Sequence, residues 1–250
     1  MGFPGGRMSK RVVGRLVVCA GVVGVLSVGT RGETPATTRP ATMATSRAAA
    51  TVVDLSTPAS ALATFTRALR EGDAGALKQA AAGSPEEQAW LLASAAHLKA
   101  FRELETAITA RYGKQFRETD AGKELMEQIE AARDADLLTD LKTAKIGEPQ
   151  GDEVAVELDE TLPADRQGQL VRAEGKWRMD LGSLTEYIET NDAPALRTMA
   201  AVATTLAKEV AAGKLGTAEE AATAIDERLT AAEEAGAEKA TATPLEAKAK

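Results

Sequence analysis

SPEEQAWLLASAAHLKAFRELETAITARYG, residues 84–113, is the stretch on which the fold turns. Ser84-Pro85-Glu86-Glu87 has the form of a capping box, with proline at the first helical position, and Gly113 supplies the stop. Between them, Trp90, His97, Phe101, Leu104, Ile108 and Tyr112 fall within about 40° of one line at 100° per residue, flanked by Leu91 and Leu98. A helix this long with an aromatic-rich stripe is the spine around which a core forms.

Upstream, Thr57-Pro58 starts an amphipathic helix through Leu62, Phe65 and Leu69 that Gly72 ends. Asp73 caps a second helix, Leu77 to Ala82, ended by Gly83. Downstream, a fourth helix runs from about Ala121 to Leu138 with Leu125, Ile129 and Ala132 on one face. From about Leu141 the pattern becomes alternating. Val154, Val156 and Leu158 interleave with charged residues, and Leu170 to Ala173 joins Trp177, Met179 and Leu181 through the hairpin pair Glu174-Gly175. This predicts a small antiparallel meander of three or four strands, Ile146 on the first, one face wet and the other packed on helices.

Ser183-Leu184-Thr185-Glu186 reads as a capping box for a short helix through Tyr187 and Ile188. Asp192 and Pro194 open a longer helix through Leu196, Met199, Val202, Leu206 and Val210 that ends at Gly213. Thr217 to Glu220 caps a last helix, with Ile225 and Leu229, that stops at Gly236. The fold class expected is α+β, helix-rich, with several amphipathic helices packed on the small sheet. Residues 52–236 form one domain and 237–250 a disordered, solvated tail.

The N-terminus places Arg7, Lys10, Arg11 and Arg15 ahead of the uncharged apolar run 16–28, with no acidic residue before Glu33. That is the charged region and hydrophobic region of a signal peptide, with cleavage after Gly29. At about 13 residues the run falls short of the ~20 of a spanning helix, which weighs against the alternative, an N-terminal membrane anchor. Cys19, the only cysteine, follows Leu16-Val17-Val18, a poor lipobox: Val18 stands where a small residue belongs, and most of the apolar run follows the cysteine. Residues 30–51, rich in Thr, Ala and Pro, bury too little to offset the entropy of ordering and read as a disordered linker.

With 1–29 removed, no cysteine remains for a disulfide or a thiolate metal site. Four of the 30 basic residues lie in the leader and all 37 acidic ones beyond it, leaving a mature charge of −11. Such a surface repels phosphate backbones, so nucleic acid is not a partner, and the membrane is met only during export.

His97 is the only histidine. It is the single candidate for a titrating base, and its place on the apolar face suits a packed core imidazole better. Asp134, Asp136 and Asp140, with Glu127 and Glu130, form a carboxylate-rich helix end without calcium-loop spacing. Glu103, Glu105, Asp152 and Glu157 are the other carboxylates considered for acid–base work. No phosphate loop, nucleophile elbow or cofactor motif is present.

The first helix, Thr57-Pro58 through Leu62, Phe65, Leu69 and Gly72-Asp73, and the strands 151–158 and 168–181 with their Gly-Lys-Trp-Arg ending resemble the NTF2-like (SnoaL-like) superfamily. In that family a curved sheet and helices enclose a pocket that binds small ligands or hosts catalysis, and the resemblance transfers no catalytic residue. It implies a ligand pocket of Trp90, His97, Phe101 and Trp177. The functional expectation is an exported, non-enzymatic binding or structural module of the bacterial cell envelope, secreted or periplasmic, acting on an envelope protein or small ligand. The alternatives are an NTF2-like pocket protein, binding a ligand or acting as a weak hydrolase or isomerase, and a protein that oligomerises through its last helices.

Overall fold

The computed structural model describes residues 53–133, 136–158, 167–184 and 187–241. The leader, Cys19, the linker, Asp134 and the last residues of the tail lie outside them.

Helix α1 (Pro58–Glu71) starts where Thr57 and Ser60 cap each other, the Ser60 amide donating to the Thr57 hydroxyl at 3.1 Å. It buries Leu62, Phe65, Ala68 and Leu69 and ends at Gly72. Asp73 then caps α2 (Ala74–Ala80), its carboxylate accepting from the Gly75 and Ala76 amides, both at 3.0 Å. The second helix is shorter than its sequence indicates. Ala81–Ala82 leave it as strand β1, which pairs in parallel with a strand nearly 100 residues later.

The capping box of α3 (Pro85–Tyr112) forms as read: the Ser84 amide donates to Glu87 Oε2 at 2.7 Å, and the Glu87 amide to Ser84 Oγ at 3.2 Å. Its burial is wider than one stripe. Ala93, Ala95 and Ala100 are buried along with Trp90, Leu91, Leu98, Phe101, Leu104 and Ile108, because neighbours pack on α3 from several sides and the alanines admit them closely. Gly113 ends it, and a short helix unmarked in the sequence, α4 (Lys114–Glu118), buries Phe116.

The fourth predicted helix is described in two stretches, α5 (Asp120–Arg133) and α6 (Asp136–Thr143), residues 134 and 135 lying outside the description, and helix persists beyond Leu141, which is itself a buried residue of α6. Strands β2 (Lys145–Ile146), β3 (Glu153–Glu157), β4 (Gly168–Ala173) and β5 (Lys176–Asp180) then form the antiparallel meander, with Ile146 on its first strand. With β1 added at the far edge, the sheet is mixed and five-stranded, in the order β1-β5-β4-β3-β2. Val154, Val156, Leu170, Trp177 and Met179 face the core, while Glu153, Ala155 and Glu157 are exposed, as alternation requires. Glu174 and Gly175, at φ 55° and 75°, make the two-residue turn between β4 and β5.

The expected capping box at Ser183 includes Thr185 and Glu186, which lie outside the described residues. Those described form a 3-10 turn, Leu181–Ser183, and the Ser183 hydroxyl donates to the Asp180 carbonyl and accepts from the Gln169 amide, tying the turn to the sheet. Helix α7 (Ala193–Ala211) follows, then α8 (Ala218–Thr241), which opens at the expected Thr217–Glu220 capping box. Gly236 does not stop α8, which runs on to Thr241. A Cβ at Gly236 would lie 3.0 Å from Cα and Cβ of Ala195, so this glycine lets α8 cross the start of α7 at close range.

Two cores are strung along α3. Its first half packs with α1, α2, α6 and the inner face of the sheet, around Phe65, Leu69, Leu77, Val156 and Trp177. Its second half packs with α4, α5, α7 and α8, around Leu104, Ile108, Phe116, Ile129, Leu206 and Ile225. Each fully buried large side chain contributes about 1.5–3 kcal/mol relative to exposure, so burial is a large part of what holds both halves of α3.

Candidate functional site

Three of the four residues of the expected pocket are divided between the two cores. Trp90 and Trp177 are buried in the first, where the Trp177 amide donates to the Leu55 carbonyl at 2.9 Å and the Arg172 guanidinium lies 5.9 Å from the indole centroid. Phe101 is buried in the second core. His97, half-buried one turn earlier on α3, tilts against Phe101 with ring centroids 4.5 Å apart. Its Nδ1 is buried without a hydrogen-bond partner. Burial alone pushes its pKa down to about 4, since the charged imidazolium is the form that desolvation penalises.

The carboxylates considered for acid–base or metal work are scattered. Glu103 pairs with Lys99 on α3 at 3.9 Å, and Glu157 with Lys145 across two strands at 3.9 Å. Glu130 meets Arg117 at 2.6 Å. Asp140 accepts the Tyr187 hydroxyl at 2.6 Å, which joins α6 to the chain after the sheet. A group the sequence did not suggest sits where β5 ends near the start of α3. Burial, and then the nearby charges of Glu87 and Glu153, raise the pKa of Asp180 against the lowering effect of the Gly182 amide. All three carboxylates there are already engaged, with the Gly182 amide, the Ser84 amide and the Gln169 side-chain amide. Among the described residues no three potential ligands are placed to share a metal ion.

A concave feature lies elsewhere among the described residues, between α3 and α7. These helices run side by side in the same direction: Arg197 near the start of α7 donates to the Ala89 carbonyl at 3.4 Å, and Gly213 just past its end lies beside Arg111. Over their second halves, one side is covered by α5 and α8, and on another α1 stops short with Gly72 against Ala95 and Lys99. The result is an open groove of about 610 Å³ beginning at Glu71. Its floor is made of small side chains, Ala107, Ala110, Thr204, Ala207 and Ala211. Lys99, Arg102, Glu103 and Lys208 stand along it. His97 and the other three residues of the expected pocket do not line it.

The groove residues are individually unremarkable in the sequence. The spacing of Ala107 with Ala110, and of Thr204 with Ala207 and Ala211, puts small residues on one side of each helix, but nothing in the sequence says that the two sides adjoin. No protein-family model, curated protein or solved structure matches the chain.

Proposed function

We propose that the chain is an exported, non-enzymatic binding or structural module of the bacterial cell envelope, secreted or periplasmic. The observation that carries this reading is the state of its one imidazole. With a pKa near 4, His97 is a weak base at neutral pH, its Nδ1 has no partner to orient it, and its ring is engaged with Phe101. The groove is open, which suits contact with another macromolecular surface better than chemistry that depends on excluding water. Export is supported by the basic cluster and short apolar run at the N-terminus.

The NTF2-like pocket reading draws support from α1 lying on β5, as an opening helix packed on closing strands would. Against it, the space between them is filled by Phe65, Leu69, Trp177 and Met179, all buried.

A thermal-shift screen of the protein against metabolites and envelope sugars separates the two, with His97→Gln run in parallel. A ligand that binds only the native state raises the melting point according to its excess over Kd. The binding-module reading expects no saturable shift that depends on His97. A saturable shift that His97→Gln abolishes overturns it in favour of the pocket.

A further inference from the structure

The α3–α7 groove has a complement on the same chain. At 100° per residue, Glu219, Thr223, Glu227, Thr230 and Glu234 of α8 fall within about 80° of one another, and of these all but the half-buried Thr230 are exposed. The opposite side of α8 is fixed in the second core by Ala221, Ala222, Ile225 and Leu229. The stripe is therefore acidic, carries no basic residue, and cannot turn inward.

The groove carries the other sign. The whole chain has a formal charge of −7, yet Lys99, Arg102 and Lys208 outnumber Glu71 and Glu103 along the groove, and Arg111 stands just past its far end. Lengths also agree. From Lys99 to Ala110 the groove extends ~16 Å, and the stripe from Glu219 to Glu234 ~22 Å, at 1.5 Å per residue. A floor of alanine and threonine admits a helix closely, and Thr223 and Thr230 keep the middle of the stripe low, leaving the glutamates at its sides within reach of Lys99 and Lys208.

We propose that the acidic stripe of α8 seats in the α3–α7 groove of a second copy of this chain. Because the opposite side of α8 is fixed in the core, the stripe meets a groove only on another copy: one copy offers its stripe and presents its groove to the next. Such a heterologous contact closes into a ring or propagates as a filament, according to the rotation between copies. The attraction is electrostatic at an exposed surface, so it weakens as salt rises.

Light scattering on the full chain tests this through two charge-reversal variants. One carries Glu219→Lys, Glu227→Lys and Glu234→Lys; the other carries Lys99→Glu, Arg102→Glu and Lys208→Glu. The wild-type protein is expected to exceed the monomer mass at low salt and to approach it at high salt. Each variant alone presents two surfaces of like sign and should associate on the order of tenfold more weakly. An equimolar mixture pairs each stripe with a groove of opposite sign, so assembly should return. Helical circular dichroism checks that both variants fold. Should the triple reversals unfold, Glu227→Lys and Lys208→Glu give the same comparison with one change each. A wild-type monomer at every concentration and salt overturns the proposal. So does an assembly that neither reversal weakens, or one that both weaken and mixing does not restore.

Discussion

Replacing His97 with leucine should flatten the response of stability to mild acid. Unfolded, the imidazole takes its proton near 6.5; folded, burial delays protonation to about 4. A base whose folded pKa is depressed costs nothing above about pH 7, withdraws stability as pH falls from 6.5 towards 4, and withdraws no more below that. Between about pH 7.5 and about pH 5, these two values amount to a loss of about 2 kcal/mol. Partial exposure of the ring to water trims this to between about 1 and 2 kcal/mol. Urea melts of wild type and His97→Leu at both pH values isolate it, because the packing change and the titration of carboxylates such as Glu209, held low by Arg228, are common to the comparison and cancel. The wild type should lose at least about 1 kcal/mol more than the variant over that interval. Equal losses in the two proteins would mean that the imidazole is solvated in the native state, and the description of His97 as a packed group would fail.

Phe65, fully buried between α1 and the sheet, should cost about 3–5 kcal/mol when replaced by alanine, read from denaturant melts. Gly122→Ala provides a test of sign. In an ordinary helix interior this change gains about 1 kcal/mol, but here the new Cβ would run into the Phe116 carbonyl oxygen, so the melting temperature should fall. A double-mutant cycle of Tyr187→Phe with Asp140→Asn should return a coupling of about 1 kcal/mol for the bond joining α6 to the chain after the sheet. No coupling would detach those two elements.

What the sequence disclosed was governed by locality. The capping boxes at Ser84 and Thr217, the Asp73 cap and the Glu174-Gly175 turn are each set within about four residues, and each forms as the residues indicate. The parallel pairing of Ala81 and Ala82 with Met179 and Asp180 joins segments far apart in the chain and leaves no local mark. Gly236 was misleading because a glycine that stops a helix and one that lets two helices touch look alike until Ala195 is in place. The bond from the Gln169 amide to the Ser183 hydroxyl likewise joins distant segments and has no local mark. The long-helix reading of α3 was sound, but a single stripe undercounted its neighbours, and its two halves serve separate cores. That division is what parts Trp90 and Trp177 from Phe101. The groove has no local signature because its floor is shared by two helices about 100 residues apart in the chain, neither complete as a surface alone.

The reading of this chain as an envelope module depends on export, and the mass of its N-terminal peptide from native cells tests that most directly. The account predicts a first residue within a few positions of Thr30, in a protein recovered outside the cytoplasm. An intact N-terminal segment with its Lys10 and Arg11, in a protein confined to the cytoplasm, would contradict it.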